Sequence, residues 1–443
     1  MKIIVAGAHE VGTHLARLLA RDNKDVILMD EDPERVAQLT FLNLMTMVGS
    51  PTSINALREA EVSAADLFIA VTPNESVNIH ACILASNLGA RKTLARIDKY
   101  ELLKPENQEF YKKIGISRLI YPEMLGGEAV AQAIRRPWAR ATFELCDGKL
   151  LLLAVKVYDA PICGKKLMDI GRQHSEYHIA AIKREDHLIV PGGNDEVLPG
   201  DIVFFVTPPE KTDQVRMFCN KPERHLNRVV IMGGSRLGVQ ATYFLPNGMR
   251  VLFIENDRHV AEHLLEVVHD CEVVHGDASD VDFLNELGLN SGDVFVALGN
   301  NSGSNVLACL TAKRLGVGKT VAEVEDVAYI SLADKLNIGS TVNKKLLAAS
   351  SIYQLLLDAD KTSAKCYSLV DAEIASLVAQ AGSKITRKPV MELGLPKGIT
   401  FGGMVRNGEG MNVTGQTQFQ EGDRVVIVCM NEKFSQVEKL FLK

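Results

Sequence analysis

The chain has 443 residues, of which 47% are hydrophobic and 23% charged, and its formal net charge is −6 at pH 7. This length is too great for one hydrophobic core and predicts two to four domains. The acidic balance and the aromatic content of only 6% exclude a dedicated nucleic-acid surface, which would need a basic patch or aromatic side chains that stack on bases.

The first predicted element is a short apolar strand that runs into a glycine-containing turn. Residues 2–6 read KIIVA, and Gly7 and Gly12 follow. These two glycines occupy the outer positions of the dinucleotide fingerprint G-x-G-x-x-G, which makes a tight turn and lets a helix pack on the strand. The next apolar strand, 25–30, ends in Asp30, where such sites place the carboxylate that binds the adenine ribose.

The same pattern recurs in the second half of the chain. Gly233 lies 226 residues after Gly7, and Gly238 lies 226 residues after Gly12. The strand at 250–255 ends in Glu255, as the strand at 25–30 ends in Asp30. Further strands match at nearly the same offset, with helical patterns between them: 66–71 with 293–298, and 92–98 with 319–325. This duplication predicts an α/β fold with two Rossmann-like, doubly wound parallel sheets.

A smaller repeated unit follows each predicted sheet. Residues 198–206 and 420–428 both pass through a Gly-Asp turn into a strand rich in β-branched residues, and a short amphipathic helix comes next. This arrangement is typical of a small α+β domain. We therefore predict four domains, alternately large and small, at residues 1–136, 137–222, 226–358 and 360–443.

The middle glycine of the fingerprint is missing from both turns, where His9 and Ser235 stand instead. His9 places a Cβ and an imidazole where the pyrophosphate would approach the backbone, and Pro51 removes a backbone donor near the expected adenine edge. Ser235 is small, and its hydroxyl can donate to a phosphate oxygen. From these residues alone we expect the second half to bind a dinucleotide more tightly than the first.

Other features of the sequence argue against catalysis and metal binding. We find no acid/base grouping beside the nicotinamide position, no G-x-S-x-G elbow and no Walker loop. His259, Glu262 and His263 spell the H-x-x-E-H pattern of zinc peptidases, but they fall on a helix predicted to lie outside the sheet. We expect a solvated helical face there, no metal ligands and no catalytic residues. Lys344 and Lys345 are likewise predicted to be a solvated helix end.

No apolar run approaches the ~20 residues of a membrane-spanning helix, and there is no signal-peptide pattern. The eight cysteines are scattered singly, which favours the reduced thiols of a cytosolic protein. Any role at a membrane would then need a partner.

Several further motifs mark the chain: residues 276–279 (GDAS), Asn305 with residues 307–316 (LACLTAKRLG), residues 95–97 (ARI) and the two Gly-Asp turns. Through them the whole chain resembles the TrkA family, the Trk-type potassium-uptake regulatory subunits built from tandem RCK (KTN) modules. The chain departs from the family pattern at residues 49–51 (GSP) and 299–301 (GNN).

The resemblance implies a cytoplasmic protein, peripheral at the inner face of the cell membrane, that binds NAD(H) or possibly ATP and ADP. It would assemble into a homo-dimeric or tetrameric ring and gate a membrane potassium transporter of the Trk or Ktr type. The acidic strand ends favour an unphosphorylated ribose over NADP. The expected nucleotide-binding residues are Gly7, Ala8, His9, Glu10, Val11, Gly12, Asp30, Thr72, Pro73, Asp98, Gly233, Gly234, Ser235, Arg236, Leu237, Gly238, Glu255, Asp277 and Ala278.

Three alternatives remain open at this point. The chain could be an NAD-dependent oxidoreductase, a regulator of another cation channel or antiporter, or a scaffold whose turns hold no ligand.

Overall fold

The computed structural model describes residues 1–21, 25–39, 44–174, 176–185, 187–357, 363–368, 372–430 and 433–442. The chain forms two compact units, residues 1–128 with 343–355, and residues 129–342 with 356–443. None of the helices in the described ranges combines the length and the hydropathy that a bilayer-spanning segment needs.

The first sheet lies in the first unit. Its strands are β1 (Lys2–Ala6), β2 (Asp25–Asp30), β3 (Met45–Val48), β4 (Leu67–Ala70), β5 (Thr93–Arg96) and β6 (Arg118–Ile120). The helices between and after them are α1 (Glu10–Arg21), α2 (Pro33–Ala37), α3 (Ile54–Glu59), α4 (Glu75–Asn87), α5 (Pro105–Lys113) and α6 (Pro122–Arg135). All strands are parallel, in the order β3-β2-β1-β4-β5-β6. This is the order of the doubly wound dinucleotide-binding fold, in which ligands bind beyond the carboxyl ends of the strands.

The first small sheet follows α6. That sheet comprises β7 (Ala141–Leu145), β8 (Leu150–Lys156), β9 (His178–Arg184), β10 (His187–Ile189) and β11 (Ile202–Thr207), with α7 (Leu167–Gln173) and α8 (Thr212–Phe218). Its order is β10-β9-β11-β8-β7, with antiparallel neighbours.

The second large sheet repeats the first. Its strands are β12 (Arg228–Met232), β13 (Arg250–Glu255), β14 (Cys271–His275), β15 (Asp293–Ala297), β16 (Lys319–Glu323) and β17 (Ser340–Val342). Its helices are α9 (Arg236–Phe244), α10 (Arg258–Val267), α11 (Val281–Glu286), α12 (Ser302–Arg314), α13 (Val327–Leu336) and α14 (Lys344–Leu357). The order β14-β13-β12-β15-β16-β17, again parallel, is that of the first sheet.

The last sheet repeats the first small one. It comprises β18 (Ser363–Ser368), β19 (Ala372–Val378), β20 (Ile399–Arg406), β21 (Glu409–Asn412) and β22 (Arg424–Met430), followed by α15 (Phe434–Phe441). The order β18-β19-β22-β20-β21 matches that of the first small sheet, strand for strand.

Each Gly-Asp turn of the small domains holds an ion pair between a partly exposed arginine and a buried aspartate. Arg184 donates two hydrogen bonds to Asp201, at 2.9 and 2.8 Å, and Arg406 donates two to Asp423, at 2.8 and 2.6 Å. Both aspartates are only 2% exposed. Such two-pronged pairs fix geometry as well as contribute energy, which explains why this turn is retained in both copies.

The two small sheets share one apolar core. Leu152 and Phe204 of the first belong to the same buried cluster as Ile374 and Val426 of the second. The backbones come so close that a Cβ added to Gly410 would lie 2.0 Å from the Lys149 carbonyl oxygen. The two copies are therefore packed as a pair.

The predicted fold class is confirmed, since both Rossmann-like sheets and both small α+β domains are present. The four predicted domain ranges stay predictions, and the expected joint at 358–362 lies outside the described residues.

The packing of the small sheets makes stability depend on pH through His178 of β9. Its Nε2 lies 2.8 Å from the Thr400 hydroxyl of β20, and burial lowers its pKa from 6.5 to about 4. Between these values the unfolded chain binds a proton that the folded chain does not. Stability is therefore lost as pH falls from about 6.5 to about 4. We expect His178→Gln to reduce this loss by on the order of 1–3 kcal/mol.

Denaturant unfolding at pH 7 and pH 4.5 measures this difference. His187→Gln, at an exposed position of β10, is the matched control and should behave as the wild type does. Equal acid sensitivity in the wild type and His178→Gln would contradict the assignment.

Candidate functional site

The two glycine turns lie at the carboxyl ends of β1 and β12, the central strands of their sheets. Gly7 and Gly233 have φ of +108° and +98°, in the region that favours glycine. A Cβ at Gly12 would lie 1.9 Å from the Gly7 carbonyl oxygen. The outer fingerprint glycines of the first half are thus required by the backbone itself, as the sequence predicts.

A carboxylate ties each turn to the neighbouring strand. Asp30 Oδ2 accepts a hydrogen bond from the Ala8 amide at 2.7 Å, and Glu255 Oε2 accepts one from the Gly234 amide at 2.5 Å. The other oxygen of each carboxylate accepts a hydrogen bond from the backbone amide two residues after that carboxylate in the chain. The distance is 3.0 Å for Asp30 and 2.8 Å for Glu255. Asp30 and Glu255 are only 4% and 8% exposed, so the two halves place the expected ribose-binding carboxylate in the same way.

The residues that replace the middle glycine immediately precede a helix. Ser235 is the N-cap of α9, and its Oγ accepts from the Gly238 amide at 3.2 Å. The hydroxyl proton is left to donate elsewhere, which suits the expected phosphate contact. His9 precedes α1, and its side chain is partly exposed. Both positions can therefore carry a side chain without disturbing the turn.

A buried asparagine organises the loops after the next two strands in each half. Asn78 Oδ1 accepts from the Thr72 amide at 2.9 Å, and its Nδ2 donates to the Arg96 carbonyl at 3.0 Å. Asn305 makes the same bonds to Gly299 and to the Glu323 carbonyl, each at 2.9 Å. The helix start near these asparagines was evident in the sequence, but their role as a bridge between loops was not.

Two arginines bring positive charge to the carboxyl edge of the first half. Arg35 of α2 donates to Asp30 at 2.7 Å, and Arg96 ends β5 with its Nε buried and without a hydrogen-bond partner among the described residues. Burial lowers the pKa of His9, Arg35 and Arg96 lower it further, and Asp30 and Asp32 oppose them. His9 is therefore neutral at pH 7, and both guanidinium groups act on the turn.

The second half differs at these positions. The residue in register with Arg96 is Glu323, which ends β16 and is only 4% exposed. The residue in register with Arg35 is the partly exposed Val260. Arg236 supplies a cation at the start of α9, where the first half has Glu10, but its side chain faces solvent. The carboxyl edge of the second sheet is thus the more negative of the two.

The remaining expected residues fall into two groups. Val11, Leu237 and Ala278 are buried at 5%, 1% and 4% exposure and pack in the core, so any ligand contact must come from their backbone. Pro73, Asp98 and Asp277 lie at the carboxyl edge, where they are partly or fully exposed. They follow β4, β5 and β14, respectively.

Two of these carboxylates already have partners. Asp98 pairs with Arg96 at 3.1 Å. Asp277 Oδ1 accepts from both the hydroxyl and the amide of Ser279, and these bonds lower its pKa. Asp277 is therefore held in its anionic form, and both side chains carry oxygens that can accept hydrogen bonds from ligand hydroxyls.

The start of α14 lies beside the first turn, which the sequence did not indicate. Lys345 pairs with Glu10 of α1 at 2.7 Å, and Lys344 lies 4.0 Å from Glu123. The two lysines do stand at a helix end, as predicted, with side chains that are 21% and 29% exposed and that lie beside carboxylates. A helix that follows the second sheet thus contacts the first glycine turn.

The H-x-x-E-H segment lies on the exposed face of α10. His259, Glu262 and His263 are all exposed, and Glu262 pairs with Arg258 at 3.0 Å. Within the described ranges, no group of three or more potential ligands has the geometry to hold a metal ion.

The residues of the first half fit a dinucleotide. The turn amides and the partly exposed Arg96 guanidinium provide donors for phosphates at this edge, and the Asp30 carboxylate provides an acceptor for ribose hydroxyls. The second half offers the same turn and carboxylate with less positive charge.

Comparison with known families gives matches in both halves. The TrkA-N domain matches residues 3–122 and 229–344, and the TrkA-C domain matches residues 152–220 and 374–442. These segments span the two large sheets and, apart from β7 and β18, the strands of the two small sheets.

Relatives and solved structures agree with these matches. The chain is 29% identical to the Trk system potassium uptake protein TrkA of Azorhizobium caulinodans and 30% identical to that of Haemophilus influenzae, over 100% of this chain and 98% of each relative. A structure of the GsuK channel is similar in fold, with a TM-score of 0.60 and 17% identity over 99% of this chain and 78% of that one. Because the family matches cover most of the chain and the relatives align along its whole length, the chain belongs to the TrkA family.

Proposed function

We propose that the protein is a nucleotide-sensing regulatory subunit that binds NAD(H) or adenine nucleotides and gates a membrane potassium-uptake system. The observation that carries the proposal is the duplicated carboxyl edge, where a glycine turn, a helix start and a buried carboxylate meet in each large sheet. The potassium system itself comes from the printed names of the relatives, which are Trk potassium uptake proteins.

Structural neighbours support the choice of ligand. One structure of similar fold is described as the GsuK channel bound to NAD, and another as GsuK bound to ADP. In this chain, Asp30 and Glu255 would accept hydrogen bonds from the adenine ribose, and the amides at the starts of α1 and α9 would face the phosphates. A 2′-phosphate would meet these carboxylates and be repelled, so NADP is disfavoured.

We further propose that the first half binds the nucleotide more tightly, the reverse of the expectation from the turn sequences alone. His9 stands at the turn, but the backbone there accommodates it. Arg96 of the first half and Glu323 of the second differ by two charges at equivalent strand ends, and both are largely buried. Electrostatic interactions at buried positions are screened less than at exposed ones, so this exchange should outweigh the missing serine hydroxyl.

The structural change that nucleotide binding causes would be transmitted through α14. Lys345 holds the start of this helix to Glu10 beside the first turn. A dinucleotide phosphate at the same helix start would compete for Lys345 or repel Glu10, and so favour another position of α14. Such a ligand acts only through its different affinity for the two states, and coupling of about 1–3 kcal/mol is usual.

We propose that copies of the chain assemble into a dimeric or tetrameric ring that docks on a transporter of the Trk or Ktr type. Large side chains remain exposed on the helices of the second large domain, among them Leu307 at 63% and Tyr243 at 64%. Ring formation would bury these exposed side chains, and it would make a ligand-induced shift occur in the same direction in every copy of the chain.

Light scattering should give a mass of at least two chains at micromolar concentration, whereas a monomer would contradict the ring.

The proposed role is regulatory rather than catalytic. The Asp30 and Glu255 carboxylates hold the turns, and in this proposal they and the turn amides serve ribose and phosphate contacts instead of chemistry. An NAD-dependent oxidoreductase and a regulator of another cation channel or antiporter are the competing functions. Turnover of NADH would distinguish the oxidoreductase from the proposed function. The identity of the membrane protein that co-purifies from the native host would distinguish a regulator of another channel or antiporter.

Potassium uptake tests the proposal in cells that lack their own regulatory subunit. We expect the wild-type chain to restore uptake with its native transporter, and Asp30→Ala to impair it, because the turn loses its ribose acceptor. Glu31→Ala, an exposed neighbour, is the matched control and should restore uptake fully. Glu255→Ala should have the smaller effect of the two carboxylate variants.

Two results would count against this function. One is NADH turnover by the purified chain with any substrate, which would favour the oxidoreductase. The other is uptake that is restored equally by Asp30→Ala and by the wild type.

Calorimetry tests the order of the two nucleotide sites. Arg96→Leu should weaken the tighter ADP site about 10–100-fold, the effect of losing one hydrogen bond to a charged group. Arg91→Leu, in the turn before β5 and with a side chain that is 79% exposed, should leave it unchanged. If Arg96→Leu leaves the tighter site intact while Glu255→Ala abolishes it, the second half is the stronger site and the proposed order is wrong.

A further inference from the structure

A cavity lies in the second unit, away from the glycine turn at Gly233. It has a volume of about 270 Å³ and lies where β16 and β17 begin. In a parallel sheet the strand beginnings lie at the opposite edge from the strand ends, and Gly233 follows the end of β12. The cavity is therefore remote from the nucleotide-binding edge of the same sheet.

Six cationic side chains line this cavity. They come from the first small domain, from the segment after it and from the second large domain: Arg140, Lys156, Lys221, Arg224, Lys313 and Lys319. Clustering of this many like charges in one cavity is unfavourable unless an anion compensates it.

The partners of these cations within the protein are mostly neutral. Lys319 is 5% exposed, and its Nζ donates to the Ala139 carbonyl at 2.7 Å and the Ser340 hydroxyl at 2.8 Å. Lys313 donates to the Asn337 carbonyl. Backbone and hydroxyl acceptors satisfy hydrogen bonds but do not neutralise charge.

One carboxylate approaches the cluster. Asp334 lies 3.6 Å from Arg140, but it also pairs with Lys183 at 2.6 Å. In the part of the chain that the structure describes, no other carboxylate lies within 4.0 Å of the six cations. The cavity therefore keeps a large excess of positive charge.

The pKa values of the lysines reflect this repulsion. Burial, followed by Arg140 and Arg224, lowers the pKa of Lys319 to about 7. Burial also lowers the pKa of Lys313, and Arg140, Lys156 and Arg224 lower it further. Each neighbour that acts on these two lysines is another cation.

We propose that this cavity binds a small multivalent anion of the diphosphate or triphosphate class. Its volume is slightly below the ~300–1,000 Å³ of sites for drug-sized ligands, so it suits a phosphate chain better than a whole dinucleotide. The phosphates could belong to an inorganic polyphosphate or to the tail of a nucleotide. Trp138, the only tryptophan of the chain, lies on the wall of the cavity and could contact a base in the second case.

Such an anion would join the first small domain to the second large domain. Arg140 and Lys156 come from the former, and Lys313 and Lys319 from the latter. Without a ligand these charges repel across the junction; with one, they share a counter-charge. The site is thus a second place at which a ligand stabilises one arrangement of the molecule, independent of the nucleotide function proposed above.

Calorimetric titration of the full chain with inorganic pyrophosphate tests the proposal, at about 0.15 M ionic strength to limit long-range attraction. We expect one site per chain that the double variant Lys221→Gln/Lys313→Gln weakens about tenfold or more. Lys165→Gln, at an exposed position of the first small domain, is the matched control and should bind as the wild type does. Arg96→Leu should also leave this site unchanged, since it alters only the nucleotide edge.

Thermal unfolding gives a second readout that does not depend on binding heat. Because the double variant removes two repelling charges, it should melt no lower than the wild type without ligand and should lose the increase in Tm that pyrophosphate causes. Pyrophosphate binding that is absent, or that the double variant leaves unchanged, would overturn the proposal. Binding that Arg96→Leu abolishes would do the same, because the ligand would then occupy the glycine turn.

Titration with ADP distinguishes the two sources of phosphate. If the ligand is a nucleotide tail, the double variant and Trp138→Leu should both remove one ADP site while the nucleotide-edge sites persist. If it is an inorganic polyphosphate, the double variant should affect pyrophosphate alone. Either result supports the anion site and identifies its ligand.

Discussion

The hydrogen bond from a turn amide to the carboxylate at the end of the neighbouring strand is the interaction on which each half of the molecule depends. Ala8 donates to Asp30 and Gly234 to Glu255, and both carboxylates are buried. A buried carboxylate without partners would be costly, so the turn must take the one shape that supplies its amide. That shape also directs the following amides outward, where phosphates can reach them.

Duplication preserves this constraint while the surroundings diverge. The backbone bonds recur in both halves, as do the asparagine bridges from Asn78 and Asn305. The charges do not recur, because Arg96 is exchanged for Glu323. The fold therefore fixes the geometry of the glycine turn in both halves. The affinity for nucleotide depends on nearby side chains that can be exchanged without changing the fold. Two copies of one site can then respond to different concentrations, or to different nucleotides, within one chain.

Much of the architecture could be predicted because apolar strand patterns and glycine spacing are local features that survive duplication. The positions of Asp30 and Glu255 followed from the same logic. The charge at this edge could not be predicted from the sequence. Arg96 comes near the turn only because the sheet order leaves a single strand, β4, between β5 and β1. The pairing of Lys345 with Glu10 joins residues more than 300 positions apart. The cationic cavity likewise combines cations from four separate stretches of sequence, around residues 140, 156, 221–224 and 313–319.

Hydrogen exchange at the two turns, followed during an ADP titration of the full chain, tests the central claim most directly. The amides of residues 7–13 and 233–239 report separately on the two halves, and both lie where phosphates would bind. The account predicts that the first segment becomes protected at lower ADP concentration than the second. Protection of the second segment alone, or of neither, would contradict it.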